Sequence, residues 1–186
     1  MIYETLLRKI AVEFLIVFCC SSVFAKMNLR VNVAAGPVFS DSDFQTIAPG
    51  GTFDLNYDFN ISNGDSISAG IDVGVFFMLA YTGLNFSYIH CLNPDSPKNY
   101  KWNLEAELHG GTAFWGQDYV ELDGTIGASW EFYPAFNVDV LFTLKPKGSG
   151  LYFGAGPSCA LVFIHDDKKT NLALCPGIML TGGFRF

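Results

Sequence analysis

The sequence predicts an all-β chain, and three observations predict it. Through most of residues 27–186 apolar and polar side chains alternate with a period of two, the pattern of strands whose successive side chains point to opposite faces. Clusters such as Ser62-Asn63-Gly64-Asp65 interrupt the runs, and such residues either reach positive φ or bond their own backbone in tight turns. Nowhere do apolar residues recur at the spacing of an amphipathic helix.

The elements follow in order. Residues 1–25 are set aside first, because they read as a secretory signal. Arg8 and Lys9 precede the apolar run Phe14-Leu15-Ile16-Val17-Phe18-Cys19-Cys20, and Val23-Phe24-Ala25 offers small residues for cleavage after Ala25. That run is shorter than the roughly 20 residues a spanning helix needs. Acylation of Cys19 or Cys20 is the competing reading, which Phe18 fits poorly. Nine alternating segments follow, at 27–39, 51–61, 66–77, 82–90, 101–112, 119–132, 136–145, 150–163 and 172–186. In the second, Phe53, Leu55, Tyr57, Phe59 and Ile61 share one face, and Asp54, Asn56, Asp58 and Asn60 the other. The third repeats this with Ile67, Ile71, Val73 and Val75 against Ser66, Ser68 and Asp72, and the equal parity fits a hairpin pairing Ile61 with Ile67. A short turn at Tyr133-Pro134-Ala135 is expected to separate 119–132 from 136–145.

Composition narrows the class. A chain of 186 residues, 50% hydrophobic and 16% aromatic, suits one domain and excludes disorder. Its 11 basic residues against 18 acidic give no electrostatic footprint for nucleic acid. Without residues 1–25 the balance is 9 against 16, still −7, and Cys91, Cys159 and Cys175 remain. An odd cysteine count is no disulfide framework. Cys159 and Cys175 lie in adjacent terminal segments but at opposite parity, Cys159 with Leu151 and Phe153, Cys175 opposite Leu174 and Ile178. They are therefore expected to stay apart unless a bulge at Gly156-Pro157-Ser158 reverses one face.

Alternation alone leaves two solvents open: an apolar face turned inward in a soluble barrel, or outward to lipid in a membrane barrel. The second is favoured. The apolar faces run for about 9–13 residues, enough for a tilted strand to cross a bilayer. Aromatics fall near segment ends, at Phe39, Phe53, Trp102, Trp115, Tyr119, Phe132, Tyr133 and Tyr152, where interfacial girdles would sit. The predicted fold is thus an antiparallel up-and-down transmembrane β-barrel. Single-chain barrels of this kind have even strand counts; eight strands suit the about 160 residues after the signal, and ten is the alternative.

The chain's ending carries a family resemblance. Ile178-Met179-Leu180-Thr181-Gly182-Gly183-Phe184-Arg185-Phe186 resembles the terminal strand of bacterial outer-membrane β-barrels, and Leu151-Tyr152-Phe153-Gly154-Ala155-Gly156 resembles their glycine-bearing strand near the end. The likeness is to the small barrels, such as outer membrane protein W and the barrel domain of outer membrane protein A. It covers 26–186 in pattern rather than identity. It implies an outer-membrane location, a lipid-bilayer environment, and assembly machinery that reads Phe186.

Under this reading the inward face holds Asp54, Asp58, Asp72, Glu105, Glu107, Glu121, Asp123, Glu131 and Asp139, against Arg30, Lys145 and Arg185, with His109 titratable. Eight-stranded barrels are usually filled by side chains, so these charges are expected either to pair as a plug or to line a narrow acidic conduit. Enzyme readings find little support. His90, His109 and His165 sit in no nucleophile motif, His90 beside Cys91 is too small a metal set, and Glu105-x-Glu107-x-His109 is what a polar stripe produces anyway. No cofactor site is expected. The leading expectation is a narrow channel or a route for small solutes, hydrophobic molecules among them on the strength of the resemblance. The alternatives are a surface barrel whose loops, 40–50 and 91–100 among them, bind host or matrix partners, and a soluble exported ligand binder.

Overall fold

A computed structural model of the chain describes residues 25–40, 43–61, 64–76, 79–95, 99–120, 126–146, 148–166 and 169–186. It contains eight strands: β1 (Ala25–Ser40), β2 (Asp43–Asn60), β3 (Ser66–Phe76), β4 (Leu79–Cys91), β5 (Tyr100–Val120), β6 (Ile126–Pro146), β7 (Leu151–Asp166) and β8 (Lys169–Arg185). Each pairs antiparallel with the next, and β8 returns to β1 with Asn28 opposite Arg185, closing the barrel. Closure gives every strand a neighbour on both sides within the wall, which is the condition for a sheet to cross hydrocarbon.

Three sequence expectations are corrected. There is no turn at Tyr133-Pro134-Ala135: β6 runs straight through, with Thr112 opposite Pro134 and Gly111 opposite Ala135. Residues 119–120 are therefore the end of β5 and 126–132 the start of β6, and nine segments become eight strands. Pro134 is exposed on the outer face, and the continuous pairing of β6 with β5 through this position outweighs its turn preference. Second, Phe59 rather than Ile61 pairs with Ile67. The turn is tighter, closed by the Ile61 N–H on the Asp65 carbonyl at 2.9 Å and helped by Gly64 at φ 87°. Third, 43–50 is strand, not loop, because it pairs with 34–40 of β1.

The two faces of the wall are inverted relative to a soluble protein. Val31, Phe53, Val73, Leu84, Leu108, Val138, Phe153 and Leu180 all point out and are exposed. Asn28, Asn32, Asn56, Ser68, Asn85, Asn137 and Thr143 point in and are buried. Exposed apolar surface of this extent does not survive in water, whereas lipid accepts it.

Antiparallel order places the start of β1, the end of β8, the last residues of β2, β4 and β6 and the first residues of β3, β5 and β7 at one end of the barrel, its terminal end. The inward polar residues occupy that half and the middle. Toward the other end the filling turns apolar: Phe76, Tyr81, Ala113, Ala135, Ala160, Val162 and Ala173 form one buried cluster, with the rings of Phe76 and Tyr81 edge to face at 4.5 Å.

Candidate functional site: the polar interior

The interior is built from the seam outward. Arg30 of β1 and Arg185 of β8 project inward from the strands that close the barrel, and both reach across it to β5. Arg30 pairs with Glu105 at 3.1 Å and also contacts Glu107. Arg185 pairs with Glu105 at 3.0 Å and with Asp58 at 2.8 Å. Thr143 donates to Glu105 at 2.8 Å and Ser68 to Asp58 at 2.7 Å. Arg30 and Glu105 are both fully buried, so the charges persist only because each is paired and hydrogen-bonded.

Tyr152 locks this arrangement. Its hydroxyl accepts from Arg30 Nε at 2.9 Å and donates to Asn28 at 2.8 Å, while the Arg185 guanidinium lies 4.7 Å from its ring centre. It fits because Gly183 stands opposite in β8; a Cβ there would meet the phenol carbon at 2.5 Å. Its sequence assignment to an outer girdle is thus corrected: Tyr152 is fully buried. An aromatic among Leu151 and Phe153 looks alike on either face. Its even parity was the available signal.

Farther along the barrel His109 sits among acids. Its Nδ1 lies 2.6 Å from Asp72, and its Nε2 lies 3.2 Å from Asp139 and 3.5 Å from Glu107. Asn137 donates to Asp139 at 2.6 Å and Asn32 to Asp54 at 2.7 Å. Arg30, Asp54, Asp58, Asp72, Glu105, Glu107, His109, Asp139 and Arg185 therefore meet in one network or its margin. Glu121 and Asp123 lie outside the described residues. Glu131 shares the inward parity but is exposed beyond the packed interior, where it accepts from Tyr133. His90 and Cys91 point to opposite faces, His90 exposed and Cys91 buried. Cys91, Cys159 and Cys175 are free thiols.

The openings differ in chemistry. At the terminal end a vestibule of about 440 Å³ is lined by Asp58, Asp65, Lys101, Lys145 and Arg185, among others. At the opposite end a space of about 320 Å³ is bordered by Val38, Leu79, Val162, Ile164 and Ala173. Beside the terminal vestibule, Asp65 accepts the Cys91 N–H at 3.0 Å and the Tyr88 hydroxyl at 2.7 Å, and lies 3.1 Å from His90. These bonds, the Cys91 amide foremost, hold its carboxyl down at about 2.

Eight antiparallel strands closed on themselves, apolar outside and polar within, define a small transmembrane β-barrel of the outer-membrane kind. No protein-family model and no curated protein sequence matches the chain. Among solved structures, Neisserial surface protein A is similar with a TM-score of 0.52 and 14% identity, over 87% of this chain and 99% of that one. The attachment invasion locus protein of Yersinia pestis, solved with the heparin analogue sucrose octasulfate, gives a TM-score of 0.45 and 15% identity, over 87% and 99%. The outer membrane protein OprG of Pseudomonas aeruginosa gives 0.34 and 8%, over 87% and 95%. The likeness to Neisserial surface protein A is one of fold.

Proposed function

We propose that the protein is an integral outer-membrane barrel whose resting interior is closed to ions and which acts at the cell surface through the end opposite its termini. In this reading residues 1–25 direct export, and assembly machinery reads the strand ending in Phe186. The observation that carries it is the filled cross-section. Arg30, Glu105 and Tyr152 are fully buried in the polar half, and the cluster around Phe76 and Tyr81 fills the other. A buried ion-pair layer in series with an apolar layer is a barrier to hydrated ions, not a path.

The surface role draws on the β5–β6 hairpin. Pairing of β4 with β5 stops at Phe114 and that of β6 with β7 at Ala135, yet β5 and β6 continue together to Val120 and Ile126. Six residues of β5 thus extend beyond the wall, about 20 Å along the strand. Trp115, Trp130 and Phe132 are exposed there. A two-stranded ribbon gains little stability alone, and exposed aromatics of this kind suit a surface that is covered when in use. The test is planar-bilayer recording of heat-modifiable, folded protein: silence is expected, and reproducible single-channel openings would contradict the closed-barrel reading.

A gated conduit is the second reading, and the vestibule of about 440 Å³ favours it. It carries polar solvent-accessible space from the terminal end up to Arg185, which shares Glu105 with Arg30. In that case Arg30→Ala opens the barrel to small cations.

A further inference from the structure

We propose that the middle of the barrel binds one divalent transition-metal ion, with zinc the best fit, through Glu107, His109 and Asp139. Glu107 and His109 share the inward face of β5, and Asp139 of β6 pairs with Glu107. One ligand atom from each lies within 4.8 Å of the others. His109 Nε2 is 3.2 Å from Asp139 Oδ2 and 3.5 Å from Glu107 Oε2. Donor atoms placed around a tetrahedral zinc at its usual bond lengths stand about 3.3–3.4 Å from one another, so the two distances from Nε2 match those of a coordination shell.

Three features separate the site from a chance polar patch. First, Asp72 Oδ2 lies 2.6 Å from His109 Nδ1. A proton held on Nδ1 by that carboxylate leaves the Nε2 lone pair aimed at the two acids, the orientation in which metal-binding histidines are held. Second, His109 Nε2 and Glu107 Oε2 have no hydrogen-bond partner, although His109 is 1% exposed and Glu107 4%. The approach of Asp139 to Nε2 is close but does not make a hydrogen bond. Orphaned polar atoms at such depth ask for a partner. Third, the charges are lopsided. Among the described residues Asp54, Asp58, Asp72, Glu105, Glu107 and Asp139 are all buried. Arg30 pairs with Glu105 and with the Oε1 of Glu107, leaving its Oε2, and Arg185 pairs with Glu105 and Asp58. Asp72 and Asp139 are left facing one imidazole, and a dication offsets them.

The donor set selects the ion. One imidazole with carboxylates suits zinc and its neighbours, whereas calcium needs six or more oxygens and magnesium keeps its waters. Burial means the ion enters as the barrel closes, with folding and loading coupled. The inference does not depend on whether the barrel conducts.

To test it, the full chain is refolded into detergent micelles with Zn²⁺, desalted through chelator-treated buffer, and its metal content measured on the heat-modifiable fraction. One zinc per folded chain is expected, with nitrogen and oxygen neighbours and no sulfur at the zinc absorption edge. A variant with all five cysteines changed to serine keeps the ion, while Asp139→Asn and His109→Gln lose it. Folded wild-type protein without zinc, zinc bound through sulfur, or equal loading of a folded Asp139→Asn variant overturns the proposal. Should those two variants not fold, the wild-type content and edge spectrum decide alone. A zinc-free folded barrel would mean that a protonated His109 offsets Asp72 and Asp139 instead.

Discussion

At the scale of the residue, Tyr152 and Arg30 show what the interior demands. Tyr152→Phe removes one oxygen that serves Arg30 Nε and Asn28 together. Leaving such buried groups without a partner costs about 1–3 kcal/mol, which urea titration of the micelle-folded protein would register. Arg30→Met is expected to cost more, about 3–5 kcal/mol, because Glu105 and Glu107 would then be buried beside too little positive charge; adding Glu107→Gln should recover part of the loss. Gly183→Val is expected to weaken the barrel by displacing Tyr152, and the double variant with Tyr152→Ala should be less than additive. Much of this site was legible in the sequence. Asp54 and Asp58 alternate with Phe53, Leu55 and Phe59, and Arg30 with Leu29 and Val31, so parity alone gathered them on one face. Which acid meets which cation was not legible, since Arg30 of the first strand meets Glu107 of the fifth only across the interior of a barrel that β1 and β8 close.

At the scale of the element, the β2–β3 turn and the β5–β6 hairpin behave differently. Asp65 holds the turn against β4 through Cys91, Tyr88 and His90. Because its folded pKa lies at about 2, below the about 3.9 of a free aspartate, its stabilising effect is complete above pH 4 and disappears as pH falls through 2. The Cys91 amide resonance should therefore titrate with a midpoint near pH 2, and Asp65→Asn should abolish that step. The hairpin should exchange amide hydrogens in order of its support. Amides of residues 115–120 and 127–131, in the free ribbon, are expected to exchange well before those of residues 103–113, which have strands on both sides. Uniform protection along β5 would contradict the register. Sequence reading stopped at Pro134 because a proline in a tight cluster is a local turn signal, while the pairing that overrides it comes from Thr112, far away in the chain.

At the scale of the whole molecule, the alternation that revealed a barrel also hid half of its contents. In the polar half, inside and outside differ in chemistry, and the sequence displays the contrast. In segments such as Val33-Ala34-Ala35-Gly36-Pro37-Val38 and Cys159-Ala160-Leu161-Val162-Phe163-Ile164 both faces are apolar, so nothing in the pattern announces that Val38, Ala160 and Val162 form the barrel's apolar filling.

The apolar face of the barrel meets lipid and the polar face does not. This placement is tested most directly by single cysteines introduced into a cysteine-free chain, carrying an environment-sensitive fluorophore, in vesicles whose acyl chains bear nitroxide quenchers. Labels at Val73, Leu84, Val138 and Leu180, all outward and exposed, should be strongly quenched, and labels at Asp65 and Lys101, at the terminal mouth, should be quenched little. Equal, weak quenching at all six positions, or a monodisperse folded monomer without detergent, would contradict a lipid-facing apolar surface.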